Sequence, residues 1–309
     1  MLGKVCFLII IIMLRKGTME NKNTSFLLDL LERFGLSSKR IDMISRRLRG
    51  DYEVDAWGMD RELMEELKPI FQFIYKKYWR ITATGLENVP SEGRALLVCN
   101  HSGIVAFDGA MVAMAIQEEH KKPRVLRCLY LSLFAGLPFT GTMLSRIGQV
   151  QALNENAEKL LNEDELVGVF PEGVKGIGKL YKDRYKLARF GRGGFVRVAL
   201  RTQSPIIPVS IVGAEEIYPH LYNFKPMAAL MGVPYFPITP TFPWFGPLGL
   251  LPLPSKWYIH FDKPIAIQDM LYKPSEEPLL ISQITSQVRE KIQQNIYKRL
   301  KQRSSVFLG

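Results

Sequence analysis

Cysteine is scarce in this chain: Cys6, Cys99 and Cys128 are the only three in 309 residues, and no two have metal-ligand spacing. That excludes a disulfide framework and a thiolate metal site, and it fits a reducing compartment. Histidine is scarce too. Besides His101, the ring-bearing candidates His120, His220 and His260 are scattered, with no H-E-x-x-H pattern, so no metal is expected. A bilayer-spanning run is missing from the amino terminus: Val5 to Leu14 offers about ten apolar residues between Lys4 and Arg15-Lys16, against the roughly 20 that a span needs. A secretory leader would be followed by a small-residue cleavage site of A-x-A type, and none follows. Met19 opens a polar segment directly after RKGT, so translation is expected to start there, with residues 1–18 an overrun; a short membrane anchor is the rival. Acid is the sign of charge in deficit, 30 Asp and Glu against 41 Lys and Arg, for a net charge of +11. An anionic partner is implied: nucleic acid, anionic lipid headgroups or phosphorylated metabolites. No helix-turn-helix, zinc or RNA-binding signature is present, which argues against nucleic acid.

What is there builds a globular protein, 47% hydrophobic and long enough for one large domain or two small ones. Apolar residues at helical spacing predict a helix over Ser25 to Phe34, ended by Gly35. A second helix sets Ile41, Ile44 and Leu48 against Lys39, Arg40, Arg46, Arg47 and Arg49. Such a basic amphipathic helix suits an anionic membrane surface or a solvated face packed on a core. Asp60 caps a longer helix reaching Tyr78 or Trp79 and kinked at Pro69. Its aromatics, interleaved with Lys76, Lys77 and Arg80, suit a membrane interface or core packing equally.

From Ile81 onward strand and helix alternate. Strands are predicted at Ile81 to Thr84, Ala95 to Cys99, Val125 to Leu129, Leu166 to Phe170, Ile206 to Val212 and Trp257 to Phe261, and helices at Gly109 to Glu119 and Asn156 to Asn162. That alternation argues an α/β fold with a largely parallel sheet. Phe224 to Pro254 is rich in Pro, Gly, Leu and aromatics, and Lys225 is its one charge. Prolines that frequent forbid a long helix; the stretch suits a membrane face, an acyl tunnel lining or a buried irregular cap. Ile281 to Leu300 closes the chain as a basic amphipathic helix. The expected organisation is a doubtful start or anchor over 1–18, a helical, membrane-facing extension over 19–80, an α/β domain over 81–270 with 224–254 as its insert, and a carboxy-terminal helical segment over 271–309.

Chemistry is concentrated in two loops that follow strands. In Asn100 to Asp108, NHSGIVAFD, His101 and Asp108 are the minimum kit for activating a hydroxyl: the ring takes a proton and the carboxylate orients it. On a regular helix the two would stand about 10 Å apart, so working together requires Ser102 and Gly103 to turn the chain back. The second loop, Phe170 to Lys175, reads FPEGVK, and a strand's carboxyl end is where α/β sheets bind ligands. A basic, glycine-rich run follows, in which Lys175, Lys179, Arg184 and Arg192 are candidate partners for phosphate or a nucleotide tail. Gly173 to Lys179 mimics half of a P-loop, but Leu180 stands where the magnesium-binding hydroxyl belongs, so no NTPase is expected. Ser102 lacks a G-x-S-x-G elbow. Cys99, two residues before His101, reads as a buried strand thiol.

In this order, NHSG with its Asp, then FPEG, then SPIIPVSIVG, the blocks resemble those of the lysophospholipid and glycerolipid acyltransferases, over about Trp57 to Pro264. The resemblance implies a glycerol-3-phosphate acyltransferase-like fold, a mostly parallel sheet flanked by helices with an amino-terminal helical extension. It implies that His101 is the general base, Asp108 its partner, Phe170, Pro171, Glu172 and Gly173 an acceptor block, and Pro208 part of the last block. Three departures stand out. Six residues separate His101 from Asp108 where the family usually has four, which is similar to the subgroup of neutral-lipid (mono- and diacylglycerol, phytyl ester) acyltransferases. Lys175 replaces an Arg, and the block at Gly148 to Ala152 lacks its usual Arg. An ammonium does not grip phosphate bidentately as a guanidinium does, so an uncharged acceptor hydroxyl is open beside a phosphorylated one. The reaction implied is acyl transfer from acyl-CoA or acyl carrier protein, as co-substrate and with no cofactor, to a glycerolipid-type hydroxyl. It would belong to bacterial lipid metabolism and phospholipid biosynthesis, on the cytoplasmic side of a membrane, peripheral or monotopic. The rivals are a lipid-ester hydrolase using the same pair and a non-catalytic lipid-binding protein.

Overall fold

The computed structural model describes residues 37–102, 107–135, 140–267 and 276–309. The predicted helix over Ser25 to Phe34 and the question of residues 1–18 lie outside them. The described chain divides into two compact units, one from residues up to Ile70 with Tyr130–Gln151, the other from Phe71–Leu129 with Ala152–Gly309.

The smaller unit is helical. Ser38–Leu48 forms the expected basic amphipathic helix, with Met43 and Ile44 buried. Its three arginines are paired: Arg40 with Glu66, Arg46 with Glu62, and the buried Arg47 with both oxygens of Asp60 at 2.8 and 2.9 Å. Asp60 also accepts the Leu63 N–H at 2.8 Å, capping the helix Arg61–Phe73. Pro69 lies inside that helix, and a π-helical turn, Ile74–Tyr78, belongs to the larger unit.

The larger unit carries the sheet. Its strands are β1 Thr82–Thr84, β2 Ala95–Cys99, β3 Leu126–Tyr130, β4 Leu166–Val169, β5 Ile206–Val212 and β6 Tyr258–Phe261, side by side in the order β1-β6-β5-β2-β4-β3. The pairs β1–β6, β2–β4, β2–β5 and β3–β4 are parallel, and β5–β6 is antiparallel. Residues of β2 and β5 are buried throughout. Strands covered on both faces read as unbroken apolar runs, which is why ALLVC and IIPVSIV stand out in the sequence.

Helices cover both faces of this sheet. α1 Asp108–Glu119 buries Met111, Val112, Ala115 and Ile116; α2 Asn154–Asn162 buries Ala157, Leu160 and Leu161. A short turn, α3 Val174–Ile177, follows β4, and α4 Gly194–Thr202 precedes β5. α5 Glu277–Gln302 presents Ile281, Ile284, Val288, Ile292 and Ile296 at spacings of three and four, one apolar stripe. Stacked Trp79 and Trp257, 4.5 Å between ring centroids, fill the core near β6.

Two features differ from the sequence expectation. α4 lies in the glycine-rich basic run: Gly193, in the left-handed conformation at φ 72°, starts it, and Val196, Ala199 and Leu200 face inward. The segment Tyr258–Phe261 runs antiparallel to β5, a direction that local pattern does not encode. The proline-rich insert holds no long helix, only Lys225–Met231, the two-residue strand Pro237–Ile238, which pairs with Tyr222–Asn223 just before the insert, and a 3-10 turn, Gly246–Leu250.

Candidate active site

Three adjacent parallel strands, β5, β2 and β4, end on the same side of the sheet, where open α/β sheets place their ligands. The chain leaving β2 is stapled before it turns. Asn100, fully buried, donates its amide to the Ile211 carbonyl at 3.0 Å and accepts the Ile211 N–H at 2.7 Å. A side chain thus extends the β2–β5 pairing past Cys99, and His101 leaves a fixed point.

His101 and Asp108 are brought together. Nδ1 of His101 donates to Asp108 Oδ2 at 2.6 Å. The same oxygen accepts the Ser102 N–H at 3.0 Å, and Oδ1 accepts the Gly109 N–H at 2.9 Å. Asp108 is the first residue of α1 and 1% exposed. Its two oxygens thus receive three N–H groups at the amino terminus of a helix. The oxygen that takes the Ser102 N–H acts as an acceptor toward the ring as well, so the His101 proton sits on Nδ1 and Nε2 is the basic nitrogen.

The second loop holds His101 from behind. Glu172, buried at 4% exposure, accepts the His101 main-chain N–H on Oε1 at 2.9 Å and the Ala188 N–H on Oε2 at 2.7 Å. Lys179 Nζ lies 3.3 Å from Glu172 Oε2 and 3.2 Å from Glu215 Oε1, the latter on the turn after β5. Burial pushes the Glu215 carboxyl up to about 7, although Lys179 pulls it the other way. The Phe170 ring lies 4.7 Å from the imidazole, centroid to centroid. Gly176 is required by space: a Cβ there would sit 2.8 Å from the Cβ atoms of both His101 and Glu172.

Known proteins locate this arrangement. A family model described as Acyltransferase matches residues 80–212, which contain the whole constellation except Glu215. The chain is 46% identical over 267 residues to an uncharacterised protein of Mycobacterium tuberculosis, covering 86% of this chain and 75% of the relative. The chain belongs to the acyltransferase family. Phytyl ester synthase 2 of Arabidopsis thaliana is 31% identical over 139 residues, 43% of this acyltransferase and 19% of the plant protein. Among solved structures, the 1-acyl-sn-glycerophosphate acyltransferase PlsC of Thermotoga maritima superposes with a TM-score of 0.50 at 17% identity, over 91% of this chain and 90% of that one. That likeness shows the fold, a mostly parallel sheet flanked by helices.

The other residues singled out from the sequence fall in different places in this acyltransferase. Ser102 has a buried Oγ with no hydrogen-bond partner among the described residues, and Gly103 lies outside them. Pro171 accepts the Gly191 N–H through its carbonyl at 3.2 Å, and Gly173 takes a positive φ of 55° at the start of α3. Lys175 is exposed on α3, Arg184 lies over the Tyr181 ring at 4.2 Å, and Arg192 is exposed on the bend before α4. Pro208 is buried within β5, paired in register with Val98. Sequence reasoning missed Asn100, Gly176, Ala188 and Glu215. Only Asn100, beside the His in the motif, carried a local signal.

The buried thiols have no part in the chemistry. Burial pushes the Cys128 thiol up to about 12, helped by the charge of Asp108, and raises Cys99 well above its ordinary value. Neither supplies a thiolate near neutral pH.

Proposed function

We propose that this acyltransferase moves a fatty acyl group from an acyl thioester, acyl-CoA or acyl carrier protein, to the hydroxyl of a glycerolipid-type acceptor, with His101 as general base. The observation that carries the reading is the 2.6 Å bond from His101 Nδ1 to Asp108, which leaves Nε2 as the proton acceptor. Nε2 takes the acceptor's hydroxyl proton as its oxygen attacks the thioester carbonyl, and Asp108 stabilises the imidazolium. The tetrahedral oxyanion collapses, the ester forms, and the departing thiolate takes the proton from His101. No covalent enzyme intermediate is needed.

Within that class the side chains around His101 favour an uncharged lipid alcohol as acceptor. Lys179, a cation beside His101's supporting loop, is already matched by two carboxylates, and Arg184 is stacked on Tyr181. Neither is left to grip a phosphomonoester, and of the four candidate cations only Lys175 and Arg192 stay exposed and open to one. The name of the plant relative, a phytyl ester synthase, points the same way. The enzyme works at the cytoplasmic face of a membrane as a peripheral or monotopic protein; among the described residues no helix is long and apolar enough to cross one. The test is incubation of the purified protein with labelled acyl-CoA and a panel of phosphorylated and neutral acceptors. Label should pass to the neutral alcohols, and His101→Ala should lose about two to four orders of magnitude in rate. An unchanged rate in that variant overturns the assignment.

A further inference from the structure

The exposed apolar surface of the larger unit is concentrated in one segment. Leu230, Met231, Trp244, Phe245, Leu248 and Leu251 are 58 to 81% exposed. Residues 221–254 contain no Asp or Glu and one cation, Lys225. Large contiguous apolar patches on a protein surface mark interaction sites.

The segment is a built platform, not a loose loop. Tyr222–Asn223 pairs antiparallel with Pro237–Ile238, and the Phe224 N–H donates to the Phe236 carbonyl at 2.9 Å. Thr241 Oγ1 donates to the Gly249 carbonyl at 2.9 Å, and the Phe236 and Phe242 rings lie 5.5 Å apart. These bonds tie both halves of the segment together, so its apolar side chains stay outside for want of a partner, not for want of structure.

Its border is basic and leads to the active site. The Tyr181 N–H donates to the His220 carbonyl at 2.7 Å, and Gly178 lies so close to Tyr235 that a Cβ would be 3.3 Å from the ring. This is the loop that exposes Lys175 and Lys182 and carries Lys179, the partner of Glu172. A tryptophan among leucines, no acid, and lysines along one border match the boundary zone of an anionic bilayer. There the indole sits at headgroup level, the aliphatic side chains enter the acyl region, and the ammonium groups meet phosphates.

We propose that residues 221–251 dock on the surface of an anionic phospholipid bilayer and set the active site at the depth of its lipid substrate. The proposal rests on the lipid acyltransferase reading above, but its test reads binding without catalysis. Trp244 is the probe, since it is exposed while Trp79 and Trp257 are fully buried and Trp57 is half-buried, and Trp244→Phe supplies the background from those three. The full chain is mixed with phosphatidylcholine vesicles with and without phosphatidylglycerol, each with and without bromolipid. The Trp244 emission should shift blue and be quenched by bromolipid, several-fold more on the anionic vesicles. A paired Phe245→Ser and Leu248→Ser variant should lose at least tenfold in rate on a vesicle-embedded acceptor and keep its rate on a short-chain, water-soluble alcohol. Trp244 emission that vesicles leave unquenched overturns the proposal, including when it is already blue-shifted without lipid because a second copy or residues 1–36 cover the platform. Equal quenching on neutral vesicles overturns the anionic bilayer. A quenched Trp244 with no acyl transfer to any acceptor would defeat the acceptor reading and leave the docking standing.

Discussion

The main-chain N–H of His101 donates to Glu172 Oε1 at 2.9 Å, so the acid of the second loop holds the base of the first by its backbone. Its other oxygen takes the Ala188 N–H and faces Lys179, which leaves this carboxylate fully engaged inside the protein. Glu172→Gln keeps one acceptor oxygen but turns an amide N–H₂ toward a second donor and a buried ammonium. Each orphaned buried donor costs about 1–3 kcal/mol. The variant should lose stability by that order, and kcat should fall at least tenfold as His101 loses its anchor, with a smaller change in KM. Urea denaturation beside steady-state kinetics would decide it. A wild-type kcat in a destabilised protein would make Glu172 purely structural.

How far this was legible from the sequence follows from how local each signal is. β2 and β5 could be bounded to the residue because continuous burial writes a continuous apolar run between turn residues. His101 and Asp108 were legible as residue types on one loop, although their bond depends on a turn that seven positions of sequence do not specify. The role of Glu172 was not legible. A carboxylate in a glycine-rich basic loop reads as a ligand contact, and only folding shows two backbone N–H groups converging on it. Lys179 and Glu215 are 36 positions apart and meet because β4 and β5 flank β2. Pairings set by strand order leave no periodic trace, and the antiparallel direction of β6 is of the same kind.

Asp108 sets the tautomer of His101, which separates its charge from its geometry. In Asp108→Asn the amide oxygen can still accept the Gly109 N–H that Oδ1 accepts now. The amide N–H₂ then faces His101 Nδ1 and forces the proton onto Nε2, the nitrogen that must be free. By analogy with the same change in a Ser-His-Asp triad, kcat should drop by about 10⁴ while the fold is retained. Single-turnover acyl transfer and far-UV circular dichroism on the same sample would test this. A loss of less than tenfold would show that Asp108 does not orient the base.

Glu215 ties stability to pH. Its carboxyl stands at about 7 in the folded protein against an ordinary 4.5, burial being the main cause. Between those values the folded state keeps a proton that the unfolded chain has released. Stability therefore falls as pH rises from about 4.5 to about 7 and levels off above, by on the order of 3 kcal/mol from this group. Glu215→Gln, which cannot ionise, should flatten that part of the profile. Urea unfolding of both proteins at several pH values between 5 and 8 measures the difference. Parallel profiles would mean that Lys179 holds Glu215 ionised throughout.

Gly176 offers the sharpest steric test of the site. A methyl group there would stand 2.8 Å from the Cβ of His101 and 2.8 Å from the Cβ of Glu172. Both are the first atoms of their side chains, so neither can swing away without moving its main chain. Overpacking of this kind costs about 1–3 kcal/mol. Here the displaced main chain carries both the N–H that Glu172 accepts and the ring that Asp108 orients. Gly176→Ala should lower the melting temperature and reduce kcat at least tenfold. Gly191→Ala is the control from the same basic run, because a Cβ there meets nothing nearer than the Pro171 carbonyl oxygen at 4.0 Å. That variant should keep both stability and rate. If Gly176→Ala behaved like Gly191→Ala, the close packing of α3 against His101 would have no part in placing the base.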